Sequence, residues 1–137
     1  MKHLPPPFLE RPFWLQVVGG VVVPVVFGLL TGFALSVNEI LYYAMSGPLA
    51  ILGGFLGGVE HRGADEGFVR GAMGGLLFGS FILLGNEILN PAEPKAHLPE
   101  PQVGLVFVTT ILGAILGALG GHWRMRQERR AERAAAV

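Results

Sequence analysis

Along the chain, long stretches without a charged side chain alternate with short polar breaks. Residues 13–37, 40–59, 71–85 and 103–121 carry no Asp, Glu, Lys or Arg. Charge-free apolar runs of this length predict helices that cross a bilayer, because about 20 residues at 1.5 Å each span its hydrocarbon core. The third run is the short one. Fifteen residues reach only about 22 Å, so that helix must extend from Arg70, with its side chain reaching inward, through to Leu89. The spans expected are 13–37, 40–59, 69–89 and 103–122. Around them lie a proline-rich arm (1–12), a loop with four prolines (90–102) and an Arg-rich helical tail (123–137). The fold class is therefore all-α and integral to the membrane, with four transmembrane helices in one domain covering residues 1–137.

Composition sharpens this picture. Charged residues make up 15% of the chain, against about 25% in soluble domains. Zero formal net charge gives no field for attracting nucleic acid, and no nucleic-acid partner is expected. With no cysteine in the chain, thiolate chemistry and Cys-ligated metal are excluded. The first apolar run is too long for a signal-peptide core, so it is expected to stay as an anchored helix. Pro5, Pro6 and Pro7 should hold the arm extended ahead of it.

Of the ten Lys and Arg residues, only Lys95 falls between the third and fourth spans; the other nine flank the opposite ends. Positive charge marks the cytoplasmic side, so both termini and the 60–70 connection are expected inside the cell. The expected location is a prokaryotic-type plasma (inner) membrane. Trp14, Arg62, Arg70, Trp123, Arg124 and Arg126 are the expected anchors at the cytoplasmic interface, with Tyr42 and Tyr43 at the outer one.

Glycines recur at every fourth position, which puts them on one helix face. Gly67, Gly71, Gly75 and Gly79 form one row; Gly113, Gly117 and Gly121 form another. Gly53/Gly57 and Gly54/Gly58 lie side by side, and Gly28/Gly32 mark the first helix. Such rows let backbones approach closely, the form of attraction left to helices already in an apolar solvent. They serve packing within one bundle or, on the third or fourth helix, contact with a second protomer. An internal duplication is also expected, as two tandem helical hairpins. Asn38-Glu39-Ile40-Leu41 recurs as Asn86-Glu87-Ile88-Leu89, and Ala50-Ile51-Leu52-Gly53 as Ala114-Ile115-Leu116-Gly117.

Candidate chemistry is sparse. Asn38, Glu39, Asn86 and Glu87 form a candidate outer polar site. If the two pairs meet, their oxygens suit a hard cation; the plainer role is to cap helix ends. Pro24 and Pro48 each free a backbone carbonyl near mid-span, predicting kinks. No His pair has metal-ligand spacing, and phosphate-binding loops, Ser-His-Asp sets and HExxH are missing from the sequence. No catalytic residue, cofactor or metal is assigned, and no enzyme activity is expected. In size and span number the chain resembles the small multidrug transporters and the fluoride channels. It lacks the carboxylate the former carry in their first helix, where residues 13–37 offer only Gln16, and no family is assigned. The reading is a non-enzymatic structural or accessory subunit. Its partners are membrane lipid and copies of itself or a larger membrane complex. The alternative is an oligomeric channel or carrier with the Asn-Glu pairs at its outer mouth.

Overall fold

The computed structural model describes residues 5–89 and 94–136; parts of the arm and of the proline-rich loop, at 1–4 and 90–93, lie outside them. The described residues are helical with no strands. Four helices are long and apolar enough to cross a membrane: α1 Phe13–Val37, α2 Glu39–Val59, α3 Ala64–Leu89 and α4 Gly104–Ala135. A 3₁₀ turn, Phe8–Glu10, precedes them.

Local chemistry sets most boundaries. Asn38 is extended, and its Oδ1 accepts from the Ile40 and Leu41 N–H groups at 2.8 and 3.1 Å. It thus caps α2 and forces the tight hairpin after α1. Helix α3 begins at Ala64, five residues before the expected start at 69, with Asp65 and Glu66 in its first turn where carboxylates suit the helix dipole. The tail continues α4 without a break. In the loop, residues 94–103 are non-helical and fold over the hairpin end: Lys95 N–H donates to the Leu35 carbonyl at 2.9 Å, and Tyr43 Oη to the His97 carbonyl at 3.4 Å. Tyr42, expected at the interface, is instead buried in the core with Leu35, Phe78 and Ile82.

Glycines determine how the helices meet. A Cβ on Gly71 would run into the Gly113 carbonyl, one on Gly67 into that of Gly117, and one on Gly75 into that of Thr109. Each step of four along α3 is matched by a step of four back along α4, an antiparallel backbone-to-backbone seam. Gly79 closes on Thr109, and Gly121 on the Gly63 carbonyl. Helices α1 and α3 run parallel, with Gly28 against Phe78 and Phe81, and Gly32 against Ile82 and Asn86. Helices α2 and α4 also run parallel, with Gly54 on Leu116 and Gly58 on Gly117. The two long rows therefore abut backbone of their own chain, and neither is free to face a second protomer. Gly53 alone in the expected set has nothing within 4 Å of a Cβ.

The outer surface is built of Val26, Phe33, Ile51, Phe107, Ile111, Ile115 and similar exposed side chains. Among the described residues, only Leu35, Ile82 and Thr31 are larger side chains fully buried. Continuous apolar cover of this kind has no place on a soluble monomer. Thr31, Thr109 and Thr110 return their hydroxyl protons to carbonyls one turn back, at 2.7, 3.0 and 2.6 Å, so none of these three hydroxyls is stranded.

Candidate functional site

Helix α1 packs on α3 and α2 on α4, and α1 and α2 pack less extensively on each other. Between them lies a cleft of about 380 Å³ whose walls are almost wholly apolar, floored by α3 and, at its deepest, by Thr109 and Gly113 of α4. Gly19, Val23, Pro24 and Phe27 supply one wall, and the α2 residues between Leu49 and Glu60 supply the other. Its size falls in the range typical of small-ligand sites.

One cation stands in this cleft. Arg70, seven residues into α3 and an expected interface anchor, turns its side chain toward α1 and the arm. Its Nη2 donates to the Gly19 carbonyl at 2.6 Å, and its guanidinium lies 5.4 Å from the centre of the Phe8 ring. Nε is buried with no partner. Glycines make the room: a Cβ on Gly74 would sit 3.0 Å from Nη1, and one on Gly57 would sit 3.8 Å from the guanidinium carbon. Why the Gly19 carbonyl is free follows from Pro24. Residues Val18–Val22 form a π-helical turn in which the Val23 N–H bonds Val18 rather than Gly19. The next donor along would belong to residue 24, and proline has none. Arg70 fills the vacancy that the proline creates. Pro48, by contrast, lies on the exposed face of α2 and does not line the cleft.

The arm packs beside the Glu60 end of the cleft. Phe8 N–H donates to the Glu60 carbonyl at 2.8 Å, and its ring packs on His61 at 5.3 Å. Arg11 pairs with Glu60 at 2.6 Å, and Arg62 with Glu10 at 2.8 Å. Arg124 corrects its expected role. At 3% exposure it is no headgroup anchor but a buried clasp, donating to the Val59 and Pro5 carbonyls and to Glu128. It satisfies a last-turn carbonyl of α2 while tying down the arm. Arg62, Arg126, Trp14 and Trp123 remain exposed.

The outer polar residues are scattered in role. Asn38 is used as a cap; Glu39 and Glu87 are exposed; Asn86 is buried with Oδ1 unpartnered. No hydrogen bond or ion pair among the described residues joins one Asn-Glu pair to the other, and none of the four lines the cleft. Nor do three or more His, Asp or Glu side chains among the described residues gather as a metal site. The residues around Arg70 that the sequence did not point to are Phe8 and Gly19, with the Arg11–Glu60 pair beside them. The available clue was Arg70 lying beside Gly71 within a four-residue glycine period.

Fold and cleft define a class: among the described residues, a helical chain without strands, with four helices long and apolar enough to cross a membrane and a largely apolar cleft that holds Arg70 and Glu60. No known protein family, curated protein or solved structure matches the chain.

Proposed function

We propose that this protein is a non-enzymatic integral membrane protein, an accessory subunit that holds an elongated apolar guest from the bilayer between α1 and α2. The observation that carries the reading is the cleft itself. Gly19 to Phe27 on α1 and Leu49 to Glu60 on α2 line it almost wholly with apolar surface, and the Arg11–Glu60 pair stands at its arm end. Lipid or a partner helix is what such an opening meets. The charge pattern supports an orientation with both ends and the α2–α3 turn in the cytoplasm, since nine of ten Lys and Arg lie there. A plasma-membrane location of prokaryotic type is part of the same proposal.

The recurrence of Asn-Glu-Ile-Leu supports duplication. With the long glycine rows engaged internally, copies of this chain or other subunits would meet it through its apolar outer faces or the cleft. The channel reading draws less support, because the Asn-Glu pairs lie apart from the cavity.

A spin label at Gly53→Cys, in a chain with no other cysteine, tests the guest-holding reading in liposomes. High collision rates with oxygen and low rates with a water-soluble nickel chelate are expected. The reverse pattern would mark a water-filled path and favour the channel.

A further inference from the structure

We infer that the cleft binds one acyl chain of an anionic phospholipid, with Arg70 receiving its phosphate. This rests on the guest-holding reading above and names the guest's chemistry. Two charged side chains, Glu60 and Arg70, line the cleft. Glu60 is paired directly with Arg11 at 2.6 Å and acts on Arg70 only as a nearby charge, so among the described residues no anion is bound to the Arg70 guanidinium itself. Its one hydrogen bond goes to a neutral carbonyl, and its Nε–H has no acceptor at all. A cation so placed in an apolar wall calls for a monoanion with several acceptor oxygens, which a guanidinium holds through paired donors.

The rest of the site selects what that anion is attached to. From Gly19 to Phe27 the α1 wall runs eight residues, about 12 Å, past Val23 and Pro24 and then Phe78 on α3. Apart from Thr109, nothing polar is met beyond Arg70 and Glu60. A head at one end and a hydrocarbon tail along the rest matches this division. A soluble phosphate would have to pass the arm, whereas a membrane phospholipid reaches the cleft sideways, with its phosphate already near the depth of the helix ends. Gly53, with open space around it, leaves room for the chain.

Fluorescence quenching by lipids with brominated chains tests this on the full-length protein in liposomes. The reporter is Phe27→Trp in a background of Trp14→Phe and Trp123→Phe. Brominated phosphatidylglycerol is expected to quench half-maximally at about one-tenth the mole fraction of brominated phosphatidylcholine, the factor supplied by one charge-assisted contact. A control tryptophan at Ile111, on the outer face, should barely distinguish the two lipids. Arg70→Gln should erase the preference, and Arg70→Lys should retain part of it. Gly53→Leu, which obstructs the chain while keeping Arg70, should weaken quenching by both lipids and serves if Arg70→Gln does not fold.

Equal quenching by both lipids would overturn the anionic assignment while leaving an occupied cleft. A preference that survives in folded Arg70→Gln would overturn it as well, placing the selectivity in the basic surface. Stronger binding of a brominated free fatty acid than of phosphatidylglycerol would overturn the choice of a phospholipid. Quenching no greater at Phe27 than at Ile111 and unchanged by Gly53→Leu would remove the guest-holding reading itself.

Discussion

At the scale of single residues, the same amino acid does opposite work according to what faces it. Gly71 and Gly53 both belong to four-residue glycine periods. Gly71 meets the Gly113 backbone and Gly53 meets open space. Leucine at 71 has nowhere to go without parting α3 from α4, so Gly71→Leu should cost about 1–3 kcal/mol or more. Gly53→Ala should gain up to about 1 kcal/mol of helix propensity. Thermal unfolding in detergent distinguishes them, and equal behaviour would show that the seam is not backbone-tight.

His61 offers a second test. Burial holds its imidazole below the ordinary 6.5, and the nearby Glu66 carboxylate opposes this only in part. The neutral ring is the form that fits against Phe8. Between the folded and unfolded values the unfolded chain binds more protons, so stability rises with pH there. The contribution is complete above about 6.5 and is lost as the pH falls through the depressed folded value. The melting temperature of the wild type, compared with His61→Leu, should fall more steeply from about pH 7 to pH 5. Parallel curves would mean that His61 does not report on the packed arm.

Helices as units were largely legible, and for a plain reason. In hydrocarbon each segment must satisfy its own backbone, so a charge-free run is already a statement about secondary structure. That is why the spans 13–37 and 40–59 match α1 and α2 to within a residue. Helix α3 runs ahead of its charge-free stretch, through Asp65, Glu66 and Arg70. The first two suit a helix N-terminus, and Arg70 is accommodated by its neighbours. Burial of a side chain depends on the facing helix, and a single run of sequence does not contain that information. The π-helical turn shows the same limit: Pro24 announces a missing donor, not which residue will use the freed acceptor. If Arg70 occupies Gly19 because of Pro24, the two positions are coupled. Pro24→Ala lets the Val23 N–H return to Gly19, so Arg70→Gln should cost about 1 kcal/mol less in that background than in the wild type. Additive effects in a double-mutant cycle would separate the arginine from the proline.

Over the whole molecule, the recurring Asn-Glu-Ile-Leu motifs do not sit in matching surroundings. Gly67, Gly71, Gly75 and Gly79 of α3 face α4, whereas Gly85 of α3 and Gly28 and Gly32 of α1 form the α1–α3 contact, and the glycines of α2 divide between α4 and the cleft. The arm, the α2–α3 turn and the base of the tail are joined at one end by Arg124 and the Glu60 contacts. The proline-rich loop lies at the other end, over Leu35.

This arrangement across a bilayer makes a sharp demand on accessibility, and the absence of native cysteine makes it simple to check. Single cysteines at Arg62, Lys95 and Ala134 are exposed to a membrane-impermeant maleimide in intact cells and again after permeabilisation. Only Lys95→Cys should react in intact cells, and all three should react once the membrane is opened. Labelling of all three from outside, or of Arg62→Cys and Lys95→Cys from the same side, would mean that these helices do not cross the membrane as described.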